Sequence, residues 1–232
     1  MTTSPRRERL HLVLMLILTF STGVVDAVGY LGFDRVFTGN MTGNVVILGM
    51  GLAGAEELPV LRPLLALGLF LVGALLGGRL STHEQGWTRR TTLAFGLAAL
   101  SLTLLAVVMA TLDAADSGPV GTVTTSTLAL TMGLQAATAK RLGVTDVSTV
   151  VVTSTITGLA ADSRLAGGQG PRSGRRALAV LLILLGALTG ALLLRIDPWV
   201  GVALSATLCL VVTCAGHRDS RREVPVAATQ PA

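Results

Sequence analysis

The sequence predicts an all-α polytopic membrane protein: six transmembrane helices plus two re-entrant or broken helical segments, arranged as a 3+3 inverted repeat. Three observations carry that prediction. The mean hydropathy is +0.70, with 51% hydrophobic and only 13% charged residues, against roughly 25% charged residues in a soluble domain. The charges are confined to short gaps between long apolar runs, as in integral membrane proteins. Two polar stretches, TGNMTGN at 38–44 and its degenerate echo TSTITGL at 153–159, interrupt apolar sequence, one in each half of the chain.

Six apolar runs approach or reach the roughly 17–25 residues needed to cross about 30 Å of hydrocarbon: residues 10–30, 63–80, 91–112, 120–138, 177–194 and 196–215. The first carries no small-residue cleavage site after it and reads as an uncleaved span. Residues 1–9 form a polar cytoplasmic tail, residues 10–215 a single membrane domain with halves at about 10–112 and 120–215, and residues 216–232 a disordered cytoplasmic tail. Two further stretches, 38–54 and 144–161, are ambiguous: the first opens polar and continues as VVILGMGLAG, and the second is rich in Thr, Ser and Val.

The placement of basic residues discriminates between topologies, because Lys and Arg concentrate in cytoplasmic loops. If all eight stretches cross (a 4+4 alternative), 11 of the 18 basic residues lie inside. If both ambiguous stretches enter and leave on one side, the inside holds 15, with Arg35, Arg62 and Arg195 outside. The second arrangement has three crossings per half. An odd number forces the halves into opposite orientations, an inverted repeat. Internal similarity supports this: Thr38, Thr42 and Gly43 match Thr153, Thr157 and Gly158, and STGV at 21–24 faces TMGL at 131–134.

Polar backbone-loosening segments are tolerated at membrane depth only against protein or a water-filled cavity. The apolar part after TGNMTGN is long enough for only about 15 Å of helix, half the hydrocarbon core. Such a half-helix would present unpaired amides and a partial positive charge at the midplane. Thr38, Asn40, Thr42 and Asn44, facing Thr153, Thr155 and Thr157 from the other half, are therefore expected to line a solute site. Asp26 lies within the first span, where a carboxylate is costly and usually functional, and is expected as a ligand or proton-coupling group. Gln135 occupies a similar place in the fourth run. Asp34 and Arg35 before the first segment, and Asp146 before the second, read as gating or capping groups.

The remaining composition excludes other classes. The net charge is +5, but the arginines lie in loops and tails without interleaved aromatics, so no nucleic-acid partner is expected. His11, His83 and His217 are scattered, and there is no HExxH, serine elbow or phosphate loop, so no enzyme, cofactor or metal is expected. Cys209 and Cys214 are five apart on different helix faces and read as unpaired thiols. Glycine-rich spans allow close helix approach and would also allow a homodimer.

The stretch STGVVDAVGYLGFDRVFTGNMTGNVVILGMGLAG (21–54) resembles the signature of the YoaK-like family of bacterial membrane proteins, the domain of unknown function 1275. The matching positions are Asp26, Leu31, Val36, Phe37, Asn40, Met41, Thr42, Gly43 and Asn44. The resemblance implies a multi-pass protein of the bacterial inner membrane and implies no substrate. Together with the residues, it leads to the expectation of a small secondary transporter or channel-like facilitator for a small polar or anionic solute. A non-transporting membrane scaffold or sensor is the alternative.

Overall fold

In the computed structural model, described for residues 5–55, 57–81, 86–112, 118–143, 152–163, 166–167 and 173–221, the apolar runs become helices. They are α1 (Pro5–Gly32), α2 (Met41–Leu52), α3 (Leu61–Leu80), α4 (Arg89–Thr111), α5 (Gly118–Leu142), α6 (Val152–Ala161), α7 (Ser173–Leu193) and α8 (Pro198–Arg221). Five of them, α1, α3, α4, α7 and α8, are long and apolar enough to cross a membrane. α5 matches them in length with 25 residues but carries a dense set of threonines. α2 and α6, with 12 and 10 residues, reach only about 18 and 15 Å.

The terminal helices run further than the sequence reading allowed. α1 begins within the expected amino-terminal tail, and α8 continues through 216–221, correcting the disorder expected from 216. An ion pair between Arg7 and Asp219 at 3.3 Å joins those two extensions.

α1, α4, α5 and α8 form a closed inner ring, in which α1 touches α8, α8 touches α4, α4 touches α5 and α5 touches α1. α3 packs along α5 and α7 along α1, with α2 against α3 and α6 against α7. Renaming each helix as the one four places on leaves this set of pairings unchanged.

Glycines set the two closest crossings. On α3 and α5, a methyl at Gly73 would overlap the Leu130 carbonyl, and one at Gly133 the Phe70 carbonyl. On α1 and α7, a methyl at Gly186 would overlap the Phe20 carbonyl, and one at Gly23 the Ile183 carbonyl. Only a residue without Cβ lets backbones approach this closely. The partners correspond: Leu130 and Gly133 stand 110 positions after Phe20 and Gly23, the spacing at which TMGL echoes STGV.

Directions follow from these contacts. α3 runs parallel to α5, since Arg62 meets Gly118 and Thr122 while Ser81 meets Thr138. α7 runs parallel to α1. α8 runs antiparallel to α4, since Cys209 meets Phe95 while His217 meets Thr92.

The molecule therefore has two unlike ends. The starts of α1, α4 and α7 and the ends of α3, α5 and α8 carry Arg6, Arg7, Arg9, Arg79, Arg89, Arg90, Lys140, Arg141, Arg175, Arg176, Arg218 and Arg221. The opposite end carries only Arg35, Arg62 and Arg195 among the described basic residues.

Candidate functional site

The chain leaves α1 at the sparsely basic end and folds back against it. Asp34 and Arg35 make the turn with φ of 57° and 58°, a left-handed conformation that strains residues bearing a Cβ by about 1–2 kcal/mol each. Gly29 then gives the returning chain room, because a methyl there would stand 2.6 Å from the Val36 carbonyl oxygen. Tyr30 and Phe37 stack at 4.7 Å, and buried Val36 joins Ala66 of α3 and Ala129 of α5.

Asp26 organises the loop beyond this turn. Its Oδ1 accepts the backbone N–H of Thr38 at 2.9 Å, of Gly39 at 2.6 Å and of Asn40 at 3.4 Å, and the Thr38 hydroxyl at 3.3 Å. Consecutive amides converging on one oxygen form an anion-binding nest, and the start of α2 adds its partial positive charge. The sequence reading left this positive end open for a solute. The fold corrects that: the chain's own carboxylate occupies it.

The other residues of TGNMTGN complete the loop. Asn40 caps α2, its Oδ1 accepting the Gly43 N–H at 3.2 Å. Fully buried Asn44 accepts the Phe37 N–H at 2.9 Å and donates from Nδ2 to the Phe37 carbonyl at 2.7 Å. A methyl at Gly43 would press on the Phe37 ring at 2.6 Å. Thr38 is buried and Thr42 exposed.

Asp34 and Arg35 reach outward, not to Asp26. Asp34 pairs at 3.8 Å with Arg62, whose buried guanidinium donates to the Thr122 hydroxyl at 3.3 Å and the Gly118 carbonyl at 3.2 Å. Arg35 pairs at 3.8 Å with Glu57. Both ends of the loop–α2 segment are thus tied at the sparsely basic end, while Asp26 lies six residues, roughly 9 Å, in from the end of α1. The amides that Asp26 holds therefore lie nearer that end than the midplane position expected for the start of the half-helix.

The second segment does not face the first. α6 lies on α7 and α2 on α3, and α2 and α6 make no contact among the described residues. This corrects the expected shared cavity between them. Thr155 is buried, but Thr153 and Thr157 are exposed. Asp146 lies outside the described residues.

Gln135 belongs to a different feature. Thr124, Thr131, Gln135 and Thr138 follow one another at intervals of seven, four and three residues, hence on one face of α5, and all are buried. Thr131 bonds Ser101 of α4 at 2.8 Å, and Ser81, the residue that caps the end of α3, donates to the Thr138 hydroxyl at 3.4 Å. Both amide atoms of Gln135 lack a hydrogen-bond partner, as do the hydroxyls of Ser21 on α1 and Ser205 on α8. Sequence reasoning gave neither serine a role: Ser21 figured only in the STGV repeat and Ser205 in no motif, and only the register between helices reveals them. It also used Arg62 only as a topological marker, because nothing local announces its burial.

The histidines were expected far apart, yet His11 and His217 gather near Trp87 at the basic end: the His11 and Trp87 rings lie 6.1 Å apart, and Thr92 bridges the Trp87 indole N–H and His217. No group of three or more potential metal ligands occurs among the described residues. Cys209 is buried, Cys214 exposed, and both are free.

Long apolar helices packed around a polar inner helix, with a hydrogen-bonded loop folded into one end, define a polytopic α-helical membrane protein. Within that class the chain belongs to the family described as "Protein of unknown function (DUF1275)", whose model matches residues 14–215. It is 31% identical over 188 residues to "UPF0700 transmembrane protein YoaK" of Bacillus subtilis (strain 168), covering 77% of this chain and 82% of that protein. No solved structure matches.

Proposed function

We propose that the protein is a small secondary transporter or channel-like facilitator of a small polar or anionic solute in the bacterial inner membrane. It has six crossings and two re-entrant segments in a 3+3 inverted repeat, with both termini cytoplasmic. The observation that carries the reading is the loop–α2 segment: polar backbone sits inside the bundle, while both its ends are tied at the same face. Backbone of this kind lies at membrane depth only where it serves a protein-lined or wet site.

The direction of α8 supports the six-crossing count. If α2 and α6 both crossed, α4 and α8 would run parallel, whereas six crossings make them antiparallel, the sense set by Cys209–Phe95 and His217–Thr92. The unchanged pairing scheme and the glycine crossings fit an inverted repeat. The twelve basic residues at one end fit a cytoplasmic face.

In this reading Asp26, Thr38, Asn40, Thr42 and Asn44 form the gate at the outer end. Asp26 is its proton-sensitive latch, because protonation weakens its hold on three amides. Asp34 and Arg35 tether the gate to Arg62 and Glu57. Gln135 lines the interior, and Thr155 and its neighbours on α6 form a separate element toward the inner face.

A second reading has its own support. Asp26, Asn40 and Asn44 direct their hydrogen bonds to the loop itself, as in a scaffold whose polar motif only fixes packing. Flux into proteoliposomes distinguishes the two. A transporter accelerates solute entry, and Asp26→Asn or Asn44→Leu abolishes it in protein that still folds. A scaffold moves no solute, and the same variants only lower its melting temperature. Cysteine labelling at Glu57 and Lys140 tests the topology: six crossings put Glu57 outside and Lys140 inside, and eight reverse both.

A further inference from the structure

The inner ring carries hydrogen-bonding groups that the loop at its outer end does not use. Arg7 pairs with Asp219, and Gly201 packs on Val28. These two contacts fix the antiparallel register of α1 and α8, which sets Ser21 opposite Ser205. The Cys209–Phe95 contact and the groove shared by Thr103 and Thr207 set Ser205 level with Ser101 of α4. Ser101 is bonded to Thr131 of α5. One hydroxyl from each of the four inner helices therefore lies at a common height, near the middle of the apolar run 10–30, and Gln135 stands one turn further along the same face of α5.

Three of these side chains are unsatisfied: Ser21 and Ser205 are 0% exposed and Gln135 1%, with no partner for the two hydroxyls or for either end of the amide. An unpaired buried amide or hydroxyl costs about 1–3 kcal/mol per group, and native interiors keep few of them without a ligand or function. Valine would fill the site without that cost, and Val25 does so at the matching position of α1.

The chemistry of the site selects its occupant. Gln135 offers one donor group and one acceptor group, and serine hydroxyls can do either. Among the described residues no charged side chain stands at this height: the nearest on α1, Asp26, is engaged by the loop, and the nearest on α5 is Lys140, beyond Thr138. An ion there would lose its water without a counter-charge. We propose that Gln135, Ser21 and Ser205 form a mid-depth binding site for a small uncharged solute of the amide or polyol class. This rests on the facilitator reading and narrows its substrate from polar or anionic to neutral.

The test is stopped-flow light scattering on proteoliposomes of the full-length protein, with urea, glycerol, chloride and phosphate gradients as probes. The expected result is entry of urea or glycerol faster than in empty vesicles and a loss of at least about tenfold in Gln135→Leu, the equivalent of about 1.4 kcal/mol. Gln135→Asn, which keeps the amide, retains part of the rate. Wild-type rates in Gln135→Leu, or acceleration of the anions alone, overturn the neutral-solute site and leave the facilitator reading standing. If no probe enters faster than in empty vesicles, both fall. Should Gln135→Leu not fold, the same outcomes are read from Gln135→Met and from the Ser21→Ala, Ser205→Ala double variant.

Discussion

α1 and α5 hold corresponding places in the bundle, yet they bury different surfaces. Positions 14, 21, 25 and 28 of α1 are Leu, Ser, Val and Val, whereas the positions 110 later on α5 are Thr124, Thr131, Gln135 and Thr138. Both stripes are buried. α1 keeps a stripe that is apolar except for Ser21, and its carboxylate, Asp26, is matched by a loop that brings three amides to it. α5 carries a polar stripe in which Thr131 bonds back to Thr127 and Thr138 to Leu134 of their own helix. Neither amide atom of its glutamine is matched. Two helices from one pairing scheme thus differ in kind: one carries a carboxylate bonded to the loop, and the other a buried glutamine without a partner.

The largest expected effect tests whether the two helices are equivalent in packing at all. Gly133→Val on α5 and Gly23→Val on α1 each force a side chain into a facing backbone, costing roughly 3 kcal/mol or more. Size-exclusion profiles and detergent melting curves should show both variants aggregated or strongly destabilised. Collapse of only one would break the correspondence.

Next comes the contrast between matched and unmatched polar groups. Asp26→Asn keeps an acceptor oxygen for the three amides but removes the charge that strengthens those bonds, with an expected loss of about 2–3 kcal/mol. Gln135→Leu removes an unsatisfied amide and should leave the melting temperature equal or higher. Equal losses in both would show that Gln135 is matched after all.

Asn44→Leu should cost about 1–3 kcal/mol, because the Phe37 amide and carbonyl lose their partners in a buried place. Chemical denaturation monitored by Trp87 and Trp199 fluorescence would read it. The smallest effect belongs to Arg35→Ala: its pair with Glu57 is exposed, so the change should stay within about 0.5 kcal/mol and vanish at high salt.

Much of this architecture was legible in the chain. Apolar run length marked the long helices, and shortness marked α2 and α6, because hydrocarbon thickness fixes what can cross. Asp26 stood out because a carboxylate in an apolar run is expensive. The motif at 38–44 stood out because Gly and Asn side by side seldom continue a helix. Its bonding was not legible, since Asp26 and Gly39 are thirteen residues apart and either could have faced a solute. The expected meeting of Thr38–Asn44 with Thr153–Thr157 failed for the same reason: similarity between two segments says nothing of which neighbour each packs upon.

Local composition, measured against a membrane of fixed thickness, was enough to set the all-helical membrane class, the places of the long helices and the unequal charge at their ends. It took the packed bundle to settle that Asp26 closes on the loop's own amides, that Arg62 is drawn inside to α5 and that Ser21, Ser205 and Gln135 go unmatched. A hydrogen bond depends on direction and on a few tenths of an ångström between groups distant in the chain, and those are fixed when the helices settle into register.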